Sequence, residues 1–272
     1  MKQKLLSWLI KIGLFCWVLI AIALFPPFHA LQPLSTVNGL PPMGQSAAAA
    51  LIPTRPNDPA ATQDLISNLA QTTANYTPRE EIALADPTNY GDRYLTDVQG
   101  QPVYNDFIVV IHETVGSARS AINLFQTPHP RDEDQVSYHT LITRDGTVVY
   151  IVPPEKRAFG AGNSVFDGPN GPEAVLTNPD FPASVNNFAY HVSLETPADG
   201  RGNGPQHSGY TEAQYQSLAW LLARTDVPDR RITTHRVVDR SGSRIDPRTF
   251  DSQLFLNLLH RYPSRAGLAY NF

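Results

Sequence analysis

Three side chains in this sequence have the types that could act together on a bond: His112, His235 and Asp246. Two imidazoles and one carboxylate make a three-ligand zinc set that leaves a fourth position for water. An open zinc of that kind is a hydrolytic device, because it lowers the pKa of bound water to about 7. His112 and His235 each end a β-rich run, and in α/β sheets sites form outside the carboxyl ends of the strands. Asp246 follows across a loop containing Ser241-Gly242-Ser243 that can fold back. Taken singly, each histidine is more often structural or on the surface than a ligand, so the pairing of position and type carries the reading. Cys16 is the only cysteine and lies in an N-terminal apolar run. Any metal in the rest of the chain must therefore be held by His, Asp and Glu, and no disulfide is available there.

Glu195 is the candidate base. It shares a strand face with His191 and Ser193, while Val192 and Leu194 face the other way. A carboxylate amid apolar alternation is paired, solvated in a cleft or functional; a strand-end surface charge is the plainer alternative. Arg244 projects near the same spot if the loop before Asp246 folds back, or simply pairs with an acid there. His129, His207 and His260 read as solvated side chains.

The elements that must position these residues are legible from patterning. Phe107 to His112 is a β-branched run, apolar on both alternating faces, as in a strand covered on both sides. Ser117 to Phe125 reads as a helix with Ser117 as N-cap. Val136–Thr143 and Thr147–Val152 flank Arg144-Asp145-Gly146, a hairpin signal. Tyr190–Thr196 and Ile232–His235 read as strands. Thr211-Glu-Ala-Gln214 is a capping box opening a helix to about Arg224, and Phe250–Tyr262 is a closing helix. Strands interleaved with helices predict an α/β fold, a single mixed β-sheet flanked by helices. The Gly-, Pro- and Asn-dense stretch from Gly160 to Asn187 reads as a long surface loop over the site.

Upstream, the chain changes character. Lys2 and Lys4 form a positive head, and Ile12 to Phe25 carries no charged or strongly polar side chain. Residues 1–30 therefore read as a signal peptide or an uncleaved signal anchor, with membrane attachment in the second case. Either way the body of the protein is expected to be exported, to the periplasm or cell envelope. Residues 31–95, rich in Pro and Ala, read as a largely irregular linker in which Asp64 to Ala70 could form a short helix. Residues 96–272 are then the catalytic domain. The chain of 272 residues has a formal net charge of −4, and no acid precedes Asp58. Removing the lysine-bearing head makes the remainder more acidic, which excludes the basic footprint that nucleic-acid binding needs.

Several of these segments, in order, match one family. Phe107-Ile-Val-Val-Ile-His-Glu-Thr114 resembles the opening strand of the zinc-dependent N-acetylmuramoyl-L-alanine amidases of the amidase-2 type, which are related to peptidoglycan recognition proteins. Val136-Ser-Tyr-His139 with Asp145-Gly-Thr147 looks like their hairpin, and His191-Val-Ser-Leu-Glu195 is similar to their Ser-Ile-Gly-Ile-Glu strand. Tyr210-Thr-Glu-Ala-Gln-Tyr215 resembles the start of their main helix. Thr234-His-Arg236 and Arg244-Ile-Asp-Pro247 look like their His-Arg-Asp and Lys-x-Asp-Pro-Gly elements. The resemblance runs from Phe107 to the end of the chain.

Carried over residue by residue, it implies His112, His235 and Asp246 as zinc ligands, one ion per chain, and Glu195 as the catalytic acid/base. Tyr138 falls where some members keep a tyrosine near the zinc water; His139, its neighbour, is expected to be structural. Arg244 stands in place of a catalytic lysine; it stays protonated at any working pH, so it can stabilise an oxyanion but not shuttle protons. Arg248 stands in place of the glycine after Asp-Pro, where its charge would contact stem-peptide carboxylates or sit on the surface. The implied activity is hydrolysis of the amide between N-acetylmuramic acid and L-alanine, in peptidoglycan or its muropeptide fragments. The rivals are a non-catalytic peptidoglycan-recognition module, a zinc peptidase cutting within the peptide stem, and an anchored structural protein with incidental histidines.

Overall fold

The computed structural model describes residues 76–202 and 204–268. The expected targeting segment, most of the linker and the helix at 64–70 lie outside these residues. Among the described residues no helix is long and apolar enough to cross a membrane.

The chain builds a mixed α/β fold around a six-stranded sheet whose order is β1 (Glu80–Ile82), β5 (Val148–Tyr150), β4 (Thr140–Ile142), β9 (Ala189–Leu194), β3 (Ile108–Glu113) and β10 (Ile232–Thr234). One strand in from its β10 edge is β3, all six residues of which are buried. The β-branched run predicted a strand covered on both faces, and that is what forms. β3 lies parallel to β9 (Ala189–Leu194), with His112 opposite Ser193, and parallel to β10 (Ile232–Thr234), with Thr234 opposite Ile111. β4 (Thr140–Ile142) joins β9 in parallel and turns back through Asp145-Gly146 into antiparallel β5 (Val148–Tyr150). Gly146 sits at φ 86°, the left-handed conformation that the tight turn requires.

Each face of the sheet carries a core. Val109, Ile111, Val192 and Leu194 face α2 (Glu212–Leu222) and α4 (Ser252–Leu259), through Leu218, Leu222, Phe255 and Leu259. α2 opens with the predicted capping box: Thr211 accepts from the Gln214 amide and the Gln214 side chain accepts from the Thr211 amide. On the other face, Leu141, Val149 and Ile151 pack under α1 (Ala118–Gln126), which Ser117 caps as expected. Ile108, Val110 and Ala189 pack under Phe166, Val175, Val185 and Val238. Burying side chains of this size contributes about 1.5–3 kcal/mol each.

Two expectations are corrected. The linker does not run to residue 95: β1 (Glu80–Ile82) pairs with β5 at the sheet edge, and β2 (Tyr90–Asp92) pairs with β6 (Lys156–Ala158). Arg93 donates to the carbonyls of Asn187 (2.9 Å) and Ala189 (3.1 Å), and the Tyr76 hydroxyl meets Ser217 Oγ at 2.7 Å. The folded domain thus begins no later than Tyr76. β1 is exposed along its length and its pairing partner is distant in sequence, so no local periodicity announces it.

The stretch from Gly160 to Asn187 is also more than a surface loop. It holds a hairpin of β7 (Phe166–Gly168) and β8 (Gly171–Glu173), buries Phe166, Val175 and Val185, and is tied by Glu173 to Arg231 at 2.8 and 2.9 Å. Its Val165 amide bonds the Val238 carbonyl at 2.8 Å, which buttresses the short helix α3 (His235–Val238).

Candidate metal centre

The three predicted ligands converge because β3 and β10 are parallel neighbours. His112 lies near the carboxyl end of β3, and His235 leaves the end of β10 as the first residue of α3, so their ring centroids are 4.5 Å apart. The loop after α3 does fold back. The Asp239 carboxylate accepts from the amides of Ser241 and Ser243 (both 3.1 Å) and Arg244 (3.2 Å). The Arg236 amide then bonds the Asp246 carbonyl at 2.8 Å. Asp246 Oδ1 comes to rest 3.0 Å from His235 Nδ1, and Oδ2 3.5 Å from His112 Nδ1. All three residues are buried, and one ligand atom from each lies within 4.8 Å of the others.

The electrostatics suit a cation. Burial, reinforced by the charge of His235, pushes the His112 imidazole down to about 4, with Asp246 opposing only in part. His112 is therefore neutral at working pH, with a lone pair to give. Burial alone would raise the Asp246 carboxyl, but its two imidazole neighbours, His235 hydrogen-bonded to it and His112 3.5 Å away, outweigh burial and hold it below the ordinary range. His112 Nδ1 is buried without a hydrogen-bond partner. A neutral imidazole nitrogen aimed at a carboxylate and a second imidazole, with nothing to bond, fits a metal ligand.

Tyr138 joins the cluster from the segment just before β4. Its ring stacks on His112 with centroids 4.4 Å apart and planes 27° apart, and meets Phe125 edge-on at 5.3 Å. Burial, with the Asp246 charge, raises the Tyr138 phenol above its ordinary value, so it stays protonated. Arg244 is exposed on the folded-back loop, and its positive charge bears on both His112 and Tyr138.

Glu195 has the predicted face but not the level of the ligand: Ser193, not Glu195, is in register with His112. The Glu195 oxygens accept from the amides of Ala118 and Arg144, both at 2.9 Å, and Arg201 stands 4.0 Å away. Ala118 opens α1, so Glu195 satisfies one of that helix's free N–H groups and ties it to the β4–β5 turn. Among the described residues no hydrogen bond or ion pair joins Glu195 to His112, His235, Asp246 or Tyr138.

Arg248 is corrected outright. It is buried, not presented to a substrate. Its Nε donates to Glu113 Oε1 at 2.5 Å, and its terminal nitrogens donate to the carbonyls of Gly200 (2.6 Å), Gly202 (3.1 Å) and Gly204 (2.5 Å). The cause is Glu113, which follows His112 along β3 and therefore points to the opposite sheet face, where a buried carboxylate needs a counter-charge. Glu113 Oε2 also accepts from the Tyr210 hydroxyl and His207 Nε2, both at 3.0 Å. His207 is thus a fully buried partner and not the solvated side chain that its polar loop suggested.

Sequence reasoning missed two further residues of the centre. His191 Nδ1 lies 2.9 Å from His112 Nε2, and Ser193 Oγ is buried without a partner. Their shared parity with Glu195 on one strand was the available signal. His139 is structural as expected: its Nδ1 accepts the His191 amide at 2.9 Å.

An α/β domain that gathers a buried His/His/Asp cluster beside the carboxyl ends of two parallel strands defines a class of metal-ready hydrolase-type sites. The model of the N-acetylmuramoyl-L-alanine amidase family matches residues 102–249, more than half of the chain, and the chain belongs to that family. It is 36 % identical over 85 residues to the 1,6-anhydro-N-acetylmuramyl-L-alanine amidase AmpD of Escherichia coli (strain K12). That match covers 31 % of this chain and 35 % of AmpD, so it spans about a third of the length of the curated relatives. Among solved structures, a crystal structure of an AmpD derivative is 24 % identical with a TM-score of 0.46, covering 68 % of this chain and 97 % of that one. AmpDh3 from Pseudomonas aeruginosa, in complex with anhydromuramic pentapeptide, is 19 % identical with a TM-score of 0.37, covering 60 % and 58 %.

Proposed function

We propose that this chain is a zinc-dependent amidase. It hydrolyses the bond between the lactyl carbonyl of N-acetylmuramic acid and the amino group of L-alanine, in peptidoglycan or its fragments. One observation carries the reading: in a member of this family, three buried ligand atoms lie within 4.8 Å of one another, and His112 Nδ1 has no protein partner. His112, His235 and Asp246 would hold one zinc per chain. The chemistry supplied by zinc held there is Lewis acidity, which brings the pKa of water near about 7 and polarises a carbonyl.

The chain's own residues divide the remaining work. Tyr138 fixes the His112 ring plane by stacking. Arg244, permanently charged, stabilises negative charge developing on the carbonyl oxygen. Glu195 takes a proton from the attacking water and returns it to the leaving amine of L-alanine. The carbon–nitrogen bond breaks, a carbon–oxygen bond forms, and the products are a muramic carboxylate and a free peptide stem. Each Glu195 oxygen accepts one amide bond and keeps a second lone pair, so the carboxylate can carry the proton while both amides hold it oriented.

The likeness to AmpD, a 1,6-anhydro-N-acetylmuramyl-L-alanine amidase, supports anhydro-muropeptides among the substrates. The basic head and apolar run of the first thirty residues support export to the envelope, with attachment to the membrane if that segment is retained. A second reading, a recognition module that holds muropeptides uncut, is favoured by one observation: among the described residues no hydrogen bond or ion pair joins Glu195 to the His112, His235 and Asp246 cluster. The deciding experiment is mass spectrometry of muropeptides treated with the full-length protein, with and without a chelator. Free stems beginning at L-alanine, lost on chelation and restored by zinc, are the expected result. Cleavage inside the stem would replace the amidase reading with a peptidase, and tight binding without products would replace it with recognition.

A further inference from the structure

The His112 imidazole has two nitrogens with different neighbours. Nδ1 faces Asp246 and has no hydrogen bond, whereas Nε2 lies 2.9 Å from His191 Nδ1, and both rings are fully buried. A neutral imidazole that gives its Nδ1 lone pair to a metal carries its proton on Nε2. Nε2 is then the donor, His191 Nδ1 the acceptor, and the His191 proton sits on the far nitrogen. That far nitrogen, His191 Nε2, is buried without a protein partner. A hydrogen-bonding optimum for His191 alone would not leave it so.

The His191 ring is itself held from behind. Its own backbone amide donates to His139 Nδ1 at 2.9 Å, and the two rings stack at 5.8 Å with planes 11° apart. His139 Nε2 lies 3.1 Å from the Lys156 carbonyl. Because His139 Nδ1 accepts, its Nε2 carries the proton and donates to the Lys156 carbonyl; Arg93 Nη2, 3.2 Å from the same nitrogen, has the carbonyls of Pro154 and Ala189 as its acceptors instead. Room for the ring comes from Gly160. A Cβ built at 160 would lie 2.6 Å from His191 Nδ1 and 2.7 Å from its Cγ, closer than any side chain can approach.

We propose that His191 is a positioning residue for the metal centre. It accepts the Nε2–H of His112, fixes the tautomer that leaves Nδ1 free for the ion, and depends on Gly160 for its place. Metal-bound histidines ordinarily donate that second N–H to a carboxylate, a carbonyl or water; here the acceptor is a neutral imidazole. The inference rests on the metal reading of the proposed function.

The test is the zinc dissociation constant of the full-length protein, by competition with a chromogenic chelator. Wild type is compared with His191→Leu, His191→Asn and Gly160→Ala. His191→Leu removes the acceptor and should weaken zinc by about 10–100-fold. His191→Asn carries Oδ1 where Nδ1 stood and should stay within about threefold of wild type, on the same reasoning. Gly160→Ala keeps His191 but displaces its ring, and should weaken zinc as the leucine variant does. Circular dichroism of the metal-free forms identifies any variant that does not fold, and the remaining variants still decide. Zinc binding by His191→Leu or Gly160→Ala as tight as wild type overturns the proposal. So does an asparagine variant that is folded yet as weak as leucine, because ring volume would then be the cause. A wild-type protein that holds no zinc would instead remove the metal reading itself.

Discussion

Glu195 is the residue whose replacement separates positioning from chemistry. Changing it to alanine strips the acceptor from two backbone amides, Ala118 and Arg144, each bonded at 2.9 Å. A hydrogen bond to a charged acceptor contributes about 1.5–3 kcal/mol, and the loss of one helix-terminal acceptor costs about 0.5–2 kcal/mol. The side chain is 14 % exposed, so water relieves part of the loss. Glu195→Ala is therefore expected to destabilise the domain by about 2–4 kcal/mol. For a domain of 150–250 residues that lowers Tm by about 5–15 °C. Glu195→Gln keeps one acceptor oxygen and should lose roughly half as much. Thermal melting of both variants reads the structural role, and kcat on a purified muropeptide reads the chemical one. Loss of a general base lowers kcat by about 10²–10⁴-fold, in the glutamine variant as much as in the alanine variant. A Glu195→Ala protein melting with wild type refutes the capping geometry. A Glu195→Gln protein with wild-type kcat refutes the proton role and moves the weight to another group.

The other predictions concern charge. Breaking the fully buried Glu113–Arg248 pair by Arg248→Met leaves an uncompensated carboxylate and should cost about 3–5 kcal/mol; an unchanged urea midpoint would contradict this. Arg244→Lys keeps the positive charge and should retain most activity, while Arg244→Ala should lower kcat about 10–10³-fold with zinc content unchanged; equal activity in all three would remove Arg244 from the reaction. Glu173 is held below its ordinary value of 4.5, chiefly by its hydrogen bond from Arg231. Its folded value is depressed, so its contribution to stability is present above about 4.5 and is lost as pH falls through the folded value. Glu173→Gln should flatten the acid limb of a Tm-against-pH curve; an unchanged limb would contradict the pairing.

Much of the frame was legible in the sequence because it is written locally. The β-branched run of β3, the Asp-Gly turn and the Thr211–Gln214 capping box each set their backbone through neighbours a few residues away. The ligand types were legible too, since without a cysteine beyond Cys16 only His, Asp and Glu could offer a metal its donors. What the sequence left open was partnership across distance. β1 announces nothing, because it is exposed and its pairing is with β5. Arg248 and His207 look like surface charge until Glu113, on the far side of the His112 strand, requires them.

Glu195 shows the boundary most clearly. Alternation along one strand gives its face with certainty, since successive side chains of a strand point to opposite sides. Its level against His112 depends on how β9 registers with β3, and that register is fixed by packing over both faces of the sheet. The sequence by itself determined which residue types could bind a metal and that His112 stands near the end of a strand. Only the tertiary structure decided that His112 meets Asp246 at one nitrogen and His191 at the other. Periodicity encodes direction within one element, whereas contact between elements is set by the joint packing of many residues distant in the chain.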